Sequence, residues 1–139
     1  MSPRFIGTAE HSLDAKGRLI LPARYRGEFD GKGFLSKFND RCLALWTPEE
    51  FNIQLDSMRQ LQERSAADRN MVRLWAAGST EVELDRQGRV AIPGYLREYA
   101  GLDDAVLLTG AINRIELWNP AEWHSRVEPS EAELTATAR

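Results

Sequence analysis

The chain repeats itself. Residues 7–26 read GTAEHSLDAKGRLILPARYR and residues 78–97 read GSTEVELDRQGRVAIPGYLR; at a constant offset of 71, eight of these twenty positions are identical. Unrelated segments of ordinary composition share roughly one or two. The identities are patterned: Asp-x-x-Gly-Arg, three apolar residues, Pro, then Arg four positions later. A further match, LALWTPEEF at 43–51 against IELWNPAEW at 115–123, runs at an offset of 72. Self-similarity at a fixed period marks one supersecondary unit used more than once. Two copies make a duplicated fold and not a solenoid. The modules span 4–54 and 76–126, with a helical connection over 55–75 and a flexible acidic tail over 127–139.

Within the first module, Phe5 to Leu13 reads as a strand and Asp14-Ala15-Lys16-Gly17 as a turn, in which Asp caps its own backbone and Gly supplies positive φ. Arg18 to Leu21 is a second strand. Pro22 ends it and suits the first turn of a short helix over Ala23 to Phe29, with Arg24 and Arg26 both placed to be solvated. Phe34–Phe38 and Cys42–Trp46 follow as strands. Thr47, Pro48, Glu49 and Glu50 together form a helix start, for a helix reaching about Arg64. Another helix covers Ala66 to Ala77. The second module repeats the plan: a turn at Asp85-Arg86-Gln87-Gly88, a helix from Pro93 to about Ala100, strands over Ala105–Thr109 and Arg114–Trp118, and a helix from Pro120. Each module is therefore ββαββα. Neither is large enough to bury a core by itself, so an α+β unit is expected, with the two copies packed as a pseudo-symmetric, β-barrel-like whole with added helices.

Composition narrows the function classes. Of 139 residues, 42% are apolar and 28% charged, which fits a packed core and not wholesale disorder. The single cysteine, Cys42, excludes an intramolecular disulfide and a four-cysteine metal cage. His11 and His124 lie in different modules with no His-x-x-x-His or Cys-x-x-Cys spacing, so no metal or other cofactor is expected. No apolar run approaches the ~20 residues that span a bilayer, and the first residues lack a signal-peptide core; a soluble, cytoplasmic protein is the expectation. Glu49-Glu50 and Asp103-Asp104 read as helix-start and turn residues. Neither a nucleophile elbow nor a phosphate loop is present, so no enzyme and no small-molecule substrate are expected. Trp46, Trp118 and Trp123 read as core or subunit contacts. Leu55, Met58, Leu61, Met71 and Leu74 are candidates for an oligomer interface.

The two loops Asp14–Arg18 and Asp85–Arg89 carry the sharpest signal. Asp14, Gly17, Asp85 and Gly88 are what a tight turn needs. A turn does not need the arginine at its exit, yet both copies keep one. One reading is an ion pair that stiffens the loop. The other is that Arg18 and Arg89 offer planar donor forks to phosphates or guanine edges, aided by Lys16 and Arg86. The net charge of −3 and pI near 5.5 oppose a simple basic nucleic-acid binder. Locally the balance reverses: Met1 to Gly27 holds five basic residues (Arg4, Lys16, Arg18, Arg24, Arg26) against two acidic ones (Glu10, Asp14).

Phe5-Ile6-Gly7-Thr8, Leu13-Asp14-Ala15-Lys16-Gly17-Arg18-Leu19, Leu21-Pro22-Ala23-Arg24-Tyr25-Arg26, Leu45-Trp46-Thr47-Pro48, Asp85-Arg86-Gln87-Gly88-Arg89 and Glu116-Leu117-Trp118 together resemble the MraZ family of bacterial transcriptional regulators. The resemblance covers almost all of the chain outside the tail and departs slightly at Pro3-Arg4. It implies two domains of the SpoVT/AbrB type (the AbrB-like, double-split β-α-β arrangement). It implies binding to double-stranded DNA at short direct repeats in the promoter of a division and cell-wall gene cluster, with repression or modulation of its transcription. It further implies a ring-shaped homo-oligomer, an octamer or dodecamer, located with the nucleoid. Arg18 then matches the key DNA-binding arginine, with Lys16 beside it, Arg24 and Arg26 in the basic segment downstream, and Arg89, flanked by Arg86, in the second module. The alternative is a protein-interaction scaffold or antitoxin-like module whose arginine loops hold a protein partner.

Overall fold

The computed structural model describes residues 3–137. The first half contributes β1 (Thr8–Ser12), β2 (Arg18–Ile20), α1 (Ala23–Arg26), β3 (Lys32–Phe38), β4 (Cys42–Trp46) and α2 (Pro48–Leu61). After α3 (Ala66–Gly78) the pattern recurs as β5 (Thr80–Glu83), β6 (Arg89–Ala91), α4 (Gly94–Ala100), β7 (Ala105–Gly110), β8 (Ile115–Trp118) and α5 (Pro120–Arg126), with α6 (Glu131–Thr137) last. The strands form one six-stranded antiparallel sheet, β1-β7-β8-β4-β3-β5, and a separate two-stranded ribbon, β2-β6.

The duplication is visible in the register. Exchanging each strand for its repeat counterpart reverses the order of the large sheet and leaves its neighbours unchanged. At the centre, Ala44 of β4 faces Glu116 of β8, its own counterpart at the offset of 72. In the ribbon, Leu19 faces Val90, its counterpart at the offset of 71. A pseudo-twofold axis therefore passes through both pairs. The halves also trade edges: β1 of the first pairs with β7 of the second, and β5 of the second pairs with β3 of the first. The sheet stays open, with β1 and β5 as its edges.

The central strands β4 and β8 are buried along their whole length, as expected of strands covered on both faces, which read as continuous apolar runs. One face (Leu35, Leu43, Leu45, Val106, Leu108, Ile115, Leu117) joins Leu19, Leu21, Val90, Ile92, Leu96 and Phe29 in a single core drawn from both halves. On the other face, Ala44 and Trp46 pack with Phe51 of α2 and Trp75 of α3, while Cys42, Leu107 and Trp118 pack near Trp123 of α5. The tryptophans that recur at the ends of β4 and β8 thus lie in the core. Their indole N–H groups are satisfied, Trp46 donating to Ser36 Oγ at 2.9 Å and Trp118 to Glu116 Oε1 at 2.9 Å. Among the interface candidates, Met71 and Leu74 are exposed and Leu55, Met58 and Leu61 half-buried.

Several boundaries differ from the sequence expectation. The first strand begins at Thr8, because Gly7 turns the chain at φ +88°; Phe5 makes an isolated antiparallel bridge to Ile112 instead. The helix after Pro22 lasts four residues, and the one from Thr47 stops at Leu61. Pro22 and Pro93 stand as N-caps with extended ψ (143° and 147°), one residue before the position expected for them. Of the stretch over 127–139, expected as a flexible tail, the part up to residue 137 holds a 3-10 turn at Glu128–Ser130 and then α6, and 138–139 lie outside the described residues.

Candidate nucleic-acid interface

Each Asp-x-x-Gly-Arg loop is built around its carboxylate. Asp14 Oδ1 accepts from the backbone N–H groups of Lys16 (2.8 Å) and Arg18 (2.9 Å), and Oδ2 accepts from Arg18 Nε at 2.8 Å. The second loop repeats this closely: Asp85 Oδ1 accepts from Gln87 N and Arg89 N, both at 2.9 Å, and Oδ2 from Arg89 Nε at 2.6 Å. The backbone N–H of the exit arginine is the strongest influence holding each aspartate below the usual carboxylate range, and the arginine side chain adds to it. Gly17 and Gly88 close the turns at φ +74° and +79°.

This geometry joins the two readings left open by the sequence. The ion pair exists, and it uses only Nε of each guanidinium. Neither Nη group of Arg18 or Arg89 donates a hydrogen bond among the described residues, and the two side chains keep 31% and 33% of their surface in solvent. An arginine clamped at Nε and free at its tip is pre-organised to donate to an external anion or base edge.

The ribbon sets the spacing of the two arginines. Leu21 N donates to Gly88 O and Ile92 N to Gly17 O, both at 2.9 Å, so each loop is stitched to the far end of the opposite strand. Arg18 faces Ala91, and Arg89 faces Ile20. Two residues along the strands and one across separate the arginines, roughly 8 Å between Cα atoms. That fits within a major groove about 12 Å wide, which accepts a two-stranded ribbon.

The remaining basic residues divide. Lys16 and Arg86 are exposed on the two loops. Arg24 is exposed but lies on another contact, donating to Thr8 O at 3.1 Å and stacking over the Tyr25 ring at 4.8 Å. Arg26 is not a freely solvated side chain. It is half-buried, its Nε donates to Leu21 O at 2.8 Å, and its guanidinium lies against Gly88 of the other loop. Arg97, absent from the candidate set, does the same on the other side, with Nε donating to Ile92 O at 3.0 Å and its guanidinium against Gly17. Arg26 and Arg97 are repeat counterparts at the offset of 71, and that recurrence was the one signal for Arg97 in the sequence. A shallow groove of about 670 Å³ beside the ribbon is lined by Arg18 and Arg89, with Glu81, Glu83 and Asp85 along its wall.

Among the described residues, no group of three or more His, Cys, Asp or Glu side chains is arranged to hold a metal ion. His124 pairs with Glu128 at 2.7 Å on the surface. Cys42 is buried, and desolvation pushes its thiol far above the ordinary value, which disfavours the thiolate. No described helix is long and apolar enough to cross a membrane.

The sequence profile of one family, described as "MraZ protein, putative antitoxin-like", matches residues 4–74 and again 75–139. The transcriptional regulator MraZ of Moorella thermoacetica is 39% identical over 134 residues, covering 96% of this chain and 94% of its own length. The protein of the same name from Acetivibrio thermocellus is 41% identical over 121 residues, covering 87% and 85%. That of Clavibacter michiganensis is 38% identical over 134 residues, covering 96% and 94%. With its duplicated halves both matched and relatives near 40% identity along most of its length, this chain belongs to the MraZ family.

Proposed function

We propose that this protein is a sequence-specific, DNA-binding transcriptional regulator and not an enzyme. It acts as a repressor at direct repeats in the promoter of a division and cell-wall gene cluster. The relatives named as transcriptional regulators support the general role. One structural observation supports the mode of contact: Arg18 and Arg89 are fixed through Nε on one ribbon, while each side chain stays partly exposed and its Nη groups donate to no described residue. Lys16 and Arg86 add charge on the same loops. Arg26 and Arg97 serve by bracing those loops, and Arg24 contributes to the surrounding positive surface.

Two arginine tips per chain neutralise few phosphates, and the chain as a whole is acidic. Affinity then depends on several copies acting together. We infer a ring of eight or twelve subunits, associated with the nucleoid, whose ribbons line one rim. Tethered sites of suitable geometry gain ~10²–10⁴ in avidity. Arginine–phosphate contacts supply affinity and steep salt dependence, and contacts to base edges supply sequence preference.

Gel shifts on the DNA upstream of the protein's own gene, with native mass spectrometry in parallel, test this. Arg18→Ala is expected to abolish the specific shift at unchanged oligomer mass. Undiminished binding by that variant, or a wild-type affinity indifferent to salt, would refute the assignment.

A further inference from the structure

The outward face of the ribbon is not purely cationic. Residues directly opposite each other in an antiparallel pair point to the same face. Leu19 and Val90 turn into the core, so Arg18, Ala91, Ile20 and Arg89 face outward together. Ile20 is 46% exposed directly across from Arg89. Its repeat counterpart is Ala91, across from Arg18. The ribbon therefore has two unlike ends. One carries Arg18, Lys16 and the small Ala91; the other carries Arg89, Arg86 and the branched Ile20.

A partner for this face must meet cations and an aliphatic group within one ribbon's width. The major groove of DNA does so: phosphates flank its rim, and its floor displays guanine acceptors beside the 5-methyl group of thymine. RNA offers no such methyl and a groove too narrow for a ribbon. We propose that Ile20 is a specificity-determining residue that packs on a thymine methyl next to the base step contacted by Arg89. This rests on the DNA-binding reading above and adds to it. Because Ala91 offers no matching contact at the other end, each subunit reads its site with a fixed direction despite its internal pseudo-symmetry. That polarity suits sites repeated head to tail.

The duplex upstream of the protein's own gene can be amplified with either dTTP or dUTP, giving the same sequence with and without thymine methyls. Wild-type protein is expected to bind the thymine duplex tighter, about fourfold for each methyl contacted. Ile20→Ala should bind the two duplexes alike, and Ile20→Val, which retains a branched side chain, should restore the preference. If Ile20→Ala discriminates as well as wild type, or wild type does not discriminate, Ile20 does not read a methyl and the proposal fails alone. An altered oligomer mass for Ile20→Ala would assign the side chain to a subunit contact and also overturn it. Absence of any wild-type binding to the thymine duplex would remove the DNA-binding reading and this proposal together.

Discussion

Gly17 and Gly88 show how narrowly the arginine loops are specified. Both occupy the left-handed region, where a Cβ costs roughly 1–2 kcal/mol. Both also lie under an arginine from the other half: an added Cβ would sit 2.9 Å from Arg97 Cζ at Gly17, and 2.6 Å from Arg26 Cζ at Gly88. Gly31 provides an internal reference, with φ +83° and nothing within 4 Å of its added Cβ. Gly31→Ala should lose only the backbone penalty. Gly88→Ala should lose more, because Arg26 must leave Leu21 O, and its DNA affinity should fall as well. Thermal unfolding of the two variants gives the comparison, and equal losses would mean that Arg26 does not brace the loop. The aspartates give a pH signature. A carboxyl held below its unfolded-state value adds stability that is fully present above that value and lost as pH falls through the lower folded value. Asp14 and Asp85 should therefore titrate below the ordinary ~4, and the loops should stay closed through that pH; carbon NMR of the side-chain carboxyls reads both midpoints. The Asp, Gly and Arg positions were legible because a turn's chemistry lies in adjacent residues. The bracing role of Arg26 was not, since its partners, Leu21 O and Gly88, meet it only after the halves pack.

Helix starts follow the same division between local and distant causes. Thr47 Oγ1 accepts from Glu50 N at 3.2 Å ahead of Pro48, and Asn119 Oδ1 accepts from Ala121 N at 2.8 Å ahead of Pro120. The Thr-Pro pair announces the first cap in the sequence, whereas at the second the sequence reading reaches only the helix start at Pro120 and misses the Asn119 cap. Thr47→Ala should cost about 1 kcal/mol, measured by chemical denaturation, and should leave DNA affinity unchanged because α2 lies across the sheet from the ribbon. A loss confined to DNA binding would contradict that placement. Strand partners were less legible. β1 alternates between exposed and half-buried positions without burying any residue fully, its sequence TAEHS carries little apolar contrast, and nothing within Thr8–Ser12 names β7 as its neighbour. In the tail, expected to be flexible and acidic, Glu131 and Glu133 fall in the first turn of α6, where the helix dipole favours negative charge.

At the scale of the whole molecule, the exchanged edges make the duplication obligatory. Removing the second half would strip β7 from β1 and β8 from β4, and would open the shared core beneath Leu19, Leu43 and Leu45. A half-chain of some seventy residues buries too little surface to tolerate that, and its bare strand edges invite pairing with other chains. The pseudo-twofold axis supplies one rescue. Each half presents the surface the other needs, so a half-chain can complete its sheet with a second copy of itself or with its missing partner. Residues 1–77 and 78–139 expressed separately should therefore unfold at temperatures that rise with protein concentration, as expected when folding is coupled to association. Mixed together, they should form a one-to-one complex, because the natural pairing restores the central Ala44–Glu116 step, whereas two first halves would place alanine against alanine and two second halves would oppose two carboxylates. Each Glu116 is buried and paired with Arg114 of its own half at 2.7 Å, so two of these bulky pairs would have to fit where the chain holds one beside an alanine, and the second half should pair with itself least well of the three combinations. Light scattering and melting curves for each half and for the mixture resolve these species. A first half that melts cooperatively as a monomer would show that the two modules are independent domains and that the exchanged strands are dispensable.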